Sequence, residues 1–164
     1  LISYFMENKN KIYHAVEKTP YRKDELKIFL AGTIDNGDSE DWQTKICKLI
    51  EECTTNSKPI AVYNPRRDDW PEDDQTKLIE EQIKWELEHM EKADLILMNI
   101  CGDSKSPITL LELGIHSKEN KLIVFCPDNF YRFDNVKVTC ERYGVPLIST
   151  KKIEDFVKDK ILAE

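Results

Sequence analysis

The sequence predicts a doubly wound α/β domain, with a five-stranded parallel sheet and helices on both faces. Short apolar runs and amphipathic helical segments alternate about five times along the 164 residues, and short connections join them. The strand order 2-1-3-4-5 is expected, because it places the first strand centrally and the switch point between the first and third strands. The loops Gly32–Gly37 and Cys101–Ser106 should then face each other across a cleft.

The first half of the chain supplies two of these strands. Residues 1–25 are polar and lack a clear period, and we interpret them as an N-terminal arm that packs on the body or on a partner; residues 26–164 form the domain. Leu26–Ala31 is a short buried strand ended by Gly32, and Pro59–Tyr63 is the second strand. Between them Ser39 is the expected cap of a helix with one apolar face, formed by Trp42, Ile46, Leu49, Ile50 and Cys53.

The second half supplies the other three strands. A long helix is predicted from about Gln75 to Lys92, and Asp94 opens the third strand. Ser106 suits a helix N-cap and Pro107 suits the first helical turn, so a helix should begin there and end near Asn120. The remaining predicted elements are a strand over Lys121–Cys126, a short helix over Val136–Tyr143, a weaker strand over Val145–Ile148 and a last helix capped by Thr150.

Composition excludes several classes of function. The formal charge is -7 and the pI is about 5.1, so the chain has no general electrostatic attraction to nucleic acid polymers or to anionic membranes. No run approaches the ~20 apolar residues of a membrane span. The five cysteines are odd in number and irregular in spacing, which argues against a disulfide framework or a zinc site and fits a reducing cytoplasm. No metal or cofactor is expected.

Two carboxylates are candidates for chemistry. Glu112 lies inside an apolar run at a loop-to-helix junction, where it is costly unless it is exposed, paired or used; taken alone, such a glutamate more often faces solvent. Gln82 and Glu86 lie four apart on one helix, so they share a face. An amide beside a carboxylate matches the donors and acceptors of a nucleobase edge, although a plain polar helix face would have the same spacing.

Two loops offer further polar groups. Gly32-Thr33-Ile34 follows the first strand as phosphate-binding loops do, but it lacks both the P-loop and the dinucleotide-binding pattern. Its acidic rim, formed by Asp35, Asp38, Glu40 and Asp41, would repel a phosphate and tolerate a neutral sugar hydroxyl. Asn64-Pro65-Arg66-Arg67 follows the second strand, and adjacent side chains of an extended segment diverge, so one arginine could enter the cleft while the other pairs with the acidic rim.

These segments together resemble one family. Phe29-Leu-Ala-Gly32-Thr-Ile34, Asn64-Pro-Arg-Arg67, Gln82-x-x-Trp85-Glu86, Ala93-Asp94 and Thr109-Leu-Leu-Glu112-Leu-Gly114 are similar in order and spacing to motifs of the nucleoside 2-deoxyribosyltransferases, and in particular of the 2-deoxyribosyltransferase-like group. The resemblance covers roughly residues 26–147. It implies a flavodoxin-like fold, a deoxynucleoside and a free nucleobase as substrates, and transfer of 2-deoxyribose by retaining double displacement.

The resemblance also implies roles for individual residues. Glu112 would attack the anomeric carbon and become glycosylated, and Glu86 would contact the base and handle its proton. Asn135 would reach the 5′-hydroxyl bound by a neighbouring subunit, which implies a homo-oligomer with shared active sites. The expected substrate-binding residues are Gly32, Thr33, Ile34, Asn64, Arg66, Gln82, Ser106 and Asn135.

One departure from the family pattern keeps alternatives open. Many transferases carry aspartate at the position of Ser106, whereas related 2′-deoxynucleoside 5′-monophosphate N-hydrolases carry a serine there that contacts the phosphate. A nucleotide hydrolase is therefore one alternative, and Arg66 would favour it by reaching the same place. A non-catalytic nucleotide-binding module is another. The acidic loop favours the transferase. Its repulsion of a substrate phosphate would cost more binding free energy than one hydrogen bond from the Ser106 hydroxyl would contribute.

Overall fold

The computed structural model describes residues 9–34, 39–67 and 75–163. Within these ranges the chain forms one six-stranded sheet in which every neighbouring pair of strands is parallel. The spatial order is β1-β3-β2-β4-β5-β6. The strands are β1 (Lys11–His14), β2 (Leu26–Gly32), β3 (Ile60–Asn64), β4 (Leu95–Asn99), β5 (Leu122–Phe125) and β6 (Leu147–Ile148).

The doubly wound fold and the order of the five predicted strands are confirmed, but the strand count is corrected from five to six. The additional strand, β1, comes from the N-terminal arm and pairs in parallel with β3, with Tyr13 opposite Tyr63. Asn10 anchors its start, since its amide donates to the Ile50 carbonyl at 2.8 Å and accepts from the Ile60 backbone amide at 2.9 Å. A run of four residues is too short for its hydrophobic alternation to predict a strand. It forms here because the unpaired edge of β3 offers backbone groups with which the arm can pair.

The helices are α1 (Trp42–Glu52), α2 (Gln75–Lys92), α3 (Pro107–His116), α4 (Phe133–Tyr143) and α5 (Ile153–Phe156), and a π-helical turn over Val157–Ile161 continues α5. Two predicted caps are wrong. Asp41, not Ser39, caps α1 by accepting from the Thr44 amide at 3.1 Å, and Lys152, not Thr150, lies at the N-cap of α5. None of the helices in the described ranges has the length and hydropathy that crossing a membrane requires.

The core consists of two apolar layers, one on each face of the sheet. Helices α2, α3 and α4 cover one face through residues such as Trp85, Leu113 and Val136. Helices α1 and α5 cover the other through Trp42, Ile46 and Ile153. Successive residues of the central strands pack alternately into the two layers, because side chains of a strand point to opposite faces of the sheet in turn.

A close backbone approach marks the switch point between β2 and β4. Gly32 ends β2 opposite Asn99 with a φ of +134°, and a Cβ at this position would lie 2.0 Å from the Asn99 carbonyl oxygen. Only glycine adopts this positive φ readily and has no Cβ to collide with the Asn99 carbonyl. The two strand ends therefore lie close enough for the loops that follow them to touch.

Candidate active site

Three buried hydroxyls join the two loops at the switch point. Thr33 Oγ1 lies 2.7 Å from Ser106 Oγ and 3.1 Å from Ser104 Oγ, and the two serine hydroxyls are 2.8 Å apart. Thr33 Oγ1 also accepts the Cys101 backbone amide at 2.9 Å, while Ser104 donates to the Cys101 carbonyl at 2.7 Å. The loops predicted to face each other are thus bonded together at their bases.

Ser106 occupies the N-cap of α3 in a left-handed conformation, with a φ of 47°. Its hydroxyl makes no capping bond to the described part of α3, because it bonds Thr33 and Ser104 instead. The predicted cap position is therefore correct, but the serine side chain fastens one loop to the other. This junction sets where α3 begins and hence the height of Glu112 above the sheet.

The Thr33 segment is also held from the other side. The Thr33 carbonyl accepts from Trp42 Nε1 at 3.0 Å and from Gln43 Nε2 at 3.4 Å, both from the first turn of α1. Ser104, Trp42 and Gln43 were not among the residues predicted for the site. Ser104 offered a signal, since it lies in the same polar loop as Ser106.

Glu112 lies on the inward side of α3, where 7% of its surface is exposed. Thr109, Leu113 and His116 share this side, whereas Ile108, Leu111 and Ile115 face solvent. Glu112 is therefore not the solvent-facing glutamate that its local sequence, taken alone, favours. Burial raises the pKa of Glu112 to about 8, and the charge of Glu86 contributes further to that rise.

Glu86 faces the same interior from α2. Burial raises the pKa of Glu86 to about 7, although a hydrogen bond from Gln82 opposes the shift. The two carboxyl groups belong to different helices on the same face of the sheet; Glu112 is buried and Glu86 is half-buried. Two carboxyl groups with pKa values of about 7 and 8 change protonation state near neutral pH, as the groups of acid–base sites do.

Gln82 links Glu86 to the end of β3. Its Nε2 donates to the Pro65 carbonyl at 2.8 Å and to Glu86 Oε1 at 3.2 Å. Its Oε1 is buried and has no hydrogen-bond partner among the described residues. The predicted pair of Gln82 and Glu86 is therefore one bonded unit.

Asn64 and Arg66 are engaged within the protein. Asn64 is buried, donates to Cys47 Sγ at 3.7 Å and accepts the Arg66 amide at 2.9 Å. The Arg66 guanidinium bonds the carbonyls of Ser39 and Glu40 at 3.2 and 3.3 Å, and it lies 3.5 Å from the Asp41 carboxylate. Arg66 is thus the arginine that pairs with the acidic rim, through Asp41. Asp35 and Asp38 of that rim lie outside the described residues.

The N-terminal arm packs against the helix that carries Glu86. Trp85 Nε1 donates to the Glu17 carbonyl at 2.9 Å, and His89 Nε2 lies 2.9 Å from the Thr19 hydroxyl. The His89 ring stacks on Trp85 with centroids 4.1 Å apart. The described part of the arm, residues 9–25, therefore packs on the body of its own chain and supports α2 beside Glu86.

Asn135 lies on α4, a different helix from those that carry Glu86 and Glu112. It is exposed on the first turn of α4, and it lines a groove of about 300 Å³ together with Leu110 and Gly114. In the loop before it, Phe130 is buried in the core and Tyr131 is exposed, with Lys105 Nζ 4.3 Å from the Tyr131 ring centroid.

Comparison with known proteins agrees with these features. A family model described as nucleoside 2-deoxyribosyltransferase like matches residues 25–130, which is more than half of the chain. The match includes Gly32, Gln82, Glu86, Ser106 and Glu112, and it ends before Asn135. None of the curated proteins compared with the chain matches it. The chain belongs to the nucleoside 2-deoxyribosyltransferase-like family.

Proposed function

We propose that the protein transfers 2-deoxyribose between nucleobases by retaining double displacement. The observation that carries this proposal is the pair of Glu112, which is buried, and Glu86, which is half-buried: they lie on separate helices, they interact electrostatically, and burial raises the pKa of each. A mere binding module has little use for two such groups, because each costs stability when it ionises. The pair offers one group for the sugar and one for the base.

Glu112 is the proposed nucleophile. As the N-glycosidic bond breaks, positive charge develops on the sugar, and that charge favours the ionised form of Glu112 despite its burial. A carboxylate oxygen then bonds to the anomeric carbon and forms a glycosyl ester. Attack by the incoming base breaks this ester from the opposite side, so two inversions leave the configuration unchanged.

Glu86 is the proposed acid and base. A nucleobase leaves more readily when a ring nitrogen gains a proton, and a carboxyl group with a pKa of about 7 is suited to supply it at neutral pH. In the second half of the reaction the Glu86 carboxylate takes back the proton that the incoming base releases. Glu112 gives up its own proton to solvent when it ionises and regains one after the glycosyl ester is broken, so protons balance over the complete cycle without another co-reactant.

The hydroxyl cluster favours nucleosides over nucleoside monophosphates as substrates. Three hydroxyls supply three protons, and the Ser104 proton is donated to the Cys101 carbonyl. The other two fill contacts among Thr33, Ser104 and Ser106. No hydroxyl proton of this cluster is left to donate to a phosphate, and Arg66 is bonded to the start of α1. The monophosphate hydrolase is therefore the less favoured candidate.

A homo-oligomer with shared active sites is part of the proposal. Three apolar side chains are exposed on α2 and three on α3, at helical spacing and on the same face of the sheet: Ile79, Ile83, Leu87, Ile108, Leu111 and Ile115. Soluble monomers seldom expose apolar surface of this extent. A second copy of the chain would cover it, and Asn135 on the adjacent α4 could then reach the partner's bound sugar.

The test is base exchange with purified protein. Deoxyadenosine is incubated with free cytosine, thymidine with free adenine, and the products are separated by chromatography. New deoxynucleosides are expected, together with an intact-mass increase of one deoxyribosyl group on the protein that maps to Glu112. Glu112→Ala should lower exchange by several orders of magnitude, as loss of a nucleophile does.

Glu81→Gln is the matched control, since Glu81 is an exposed glutamate on the same helix as Glu86. It should exchange bases at the rate of the unmodified protein, whereas Glu86→Gln should be strongly impaired. If Glu112→Ala exchanged bases at the full rate, Glu112 could not be the nucleophile. Base release that needs no acceptor and that prefers deoxynucleoside monophosphates would identify the hydrolase instead.

A further inference from the structure

The orientation of the Gln82 amide is determined by its neighbours. The Pro65 carbonyl oxygen, 2.8 Å away, can only accept a hydrogen bond, so the amide nitrogen must face it. The same nitrogen donates to Glu86 Oε1 at 3.2 Å. Gln82 therefore cannot turn its amide over without placing two acceptors together at Pro65.

This orientation leaves one acceptor without a partner. Gln82 is 7% exposed, and its Oε1 is buried with no hydrogen-bond partner in the described part of the chain. A buried acceptor that lacks a donor is costly, and such groups are rare in folded proteins. A donor brought by the substrate would relieve that cost.

Glu86 supplies the complementary group beside it. Because Glu86 Oε1 accepts the Gln82 amide, the proton of the neutral carboxyl group resides on the other oxygen. The bonded unit of Gln82 and Glu86 thus presents an acceptor next to a donor. The matching nucleobase edge carries an amino group next to a ring nitrogen that has no proton.

We propose that Gln82 makes the site selective for amino-substituted nucleobases such as adenine and cytosine over their oxo-substituted counterparts, hypoxanthine and uracil. The inference rests on the proposed function and adds the chemical class of its substrates. The exocyclic amine donates to Gln82 Oε1 while the adjacent ring nitrogen receives the proton of Glu86.

An oxo-substituted base fails this match at one contact in a 6-oxopurine and at both contacts in a 4-oxopyrimidine. When Glu86 reaches N7 of a 6-oxopurine, the neighbouring O6 is an acceptor and faces the acceptor of Gln82. In a 4-oxopyrimidine the corresponding ring nitrogen already carries a proton, so it cannot receive another. Sites that hydrogen-bond a particular donor reject analogues that lack it, because their own buried group is left unpaired.

The experiment compares kcat/KM for deoxyadenosine and deoxyinosine with cytosine as a common acceptor. The unmodified protein should prefer deoxyadenosine about ten- to hundred-fold. Gln82→Met keeps the size of the side chain and removes its acceptor, so the ratio should fall by about ten-fold or more relative to that of the unmodified protein. The intrinsic difference between the two leaving groups cancels, because the ratio is compared between two proteins.

Lys84→Met is the control, since Lys84 is exposed on the same helix, and it should keep the original ratio. A purely structural role of Gln82 would lower both rates and leave their ratio unchanged, which would overturn the inference. If Gln82→Met does not fold, the preference of the unmodified protein for deoxycytidine over deoxyuridine decides in its place.

The outcomes also separate this inference from the proposed function. Exchange that proceeds equally well with amino and oxo bases overturns the selectivity and leaves the transferase intact. Absence of exchange with every pair of donor and acceptor overturns the proposed function and the selectivity with it.

Discussion

The Ser106 hydroxyl lies 2.7 Å from the Thr33 hydroxyl, and this contact joins the loops that follow β2 and β4. Both residues are buried, so loss of one hydroxyl leaves the others without a full set of partners. Ser106→Ala should therefore lower the free energy of unfolding by about 1–3 kcal/mol. Urea denaturation measures this change. Ser149→Ala, at an exposed position, should stay within about 0.5 kcal/mol of the unmodified protein, and an equal loss in both variants would contradict the argument.

Gly32 is expected to tolerate no side chain. Gly32→Ala places a Cβ 2.0 Å from the Asn99 carbonyl oxygen at a φ of +134°, so the two central strands would have to move apart. A loss of more than about 3 kcal/mol, or failure to fold, is expected by thermal denaturation.

Gly114→Ala is the matched control for that substitution. Gly114 lies inside α3, and a Cβ there would meet nothing within 4 Å. Alanine should raise helix stability by about 0.5–1 kcal/mol. If the two alanine variants melt at the same temperature, the close approach at Gly32 does not determine the geometry of the switch point.

Glu112 should make the protein less stable as the pH rises. Its pKa in the folded protein is about 8 against an ordinary value of 4.5, so the folded state binds the proton more tightly. The free energy of unfolding therefore falls as pH increases through this window, at about 1.4 kcal/mol per pH unit in its steepest part.

Glu112→Gln removes that dependence and keeps the shape of the side chain. The variant should be more stable than the unmodified protein by a few kcal/mol at pH 8, and by little at pH 4. Denaturation curves at several pH values measure the difference. A gap that stays constant with pH would mean that Glu112 does not hold its proton more tightly in the folded protein.

His89 should act in the opposite sense on the N-terminal arm. Burial is the main reason that its pKa lies below 6.5, so protonation is favoured when the arm opens. The contribution of His89 to arm docking is present above pH 6.5 and is lost as the pH falls through its folded-state pKa. Amides of β1 should then exchange hydrogen faster at pH 5.5 than at pH 7.5, after correction for intrinsic rates. His89→Phe should remove this pH dependence, and its persistence in that variant would exclude His89 as the cause.

The proposed assembly depends on the exposed faces of α2 and α3. Leu111→Lys and Ile83→Lys place charges in these faces and should shift the protein toward monomer in light scattering. Tyr21→Lys, at the most exposed of the large apolar positions described, should not. Asn135→Ala should raise the KM for the deoxynucleoside without changing the melting temperature. A monomer that is fully active at high dilution would exclude a shared site.

The sequence by itself determined the layered fold and the order of five strands. Apolar runs such as Leu26–Ala31 and Lys121–Cys126 lie between amphipathic helices, and parallel strands joined by short crossovers allow few arrangements. It also identified Gln82 with Glu86, because a spacing of four residues places two side chains on one helical face whatever the rest of the chain does.

Only the tertiary structure decided which groups meet across the sheet. Glu112 is buried beside the charge of Glu86 because α2 and α3 pack on the same face, a relation that no local spacing contains. The sixth strand depends on the free edge of β3, and the hydroxyl of Ser106 turns from its helix to Thr33 because β2 and β4 are neighbours. Contacts between distant segments depend on how the elements pack, and periodicity reports only the face that each element buries.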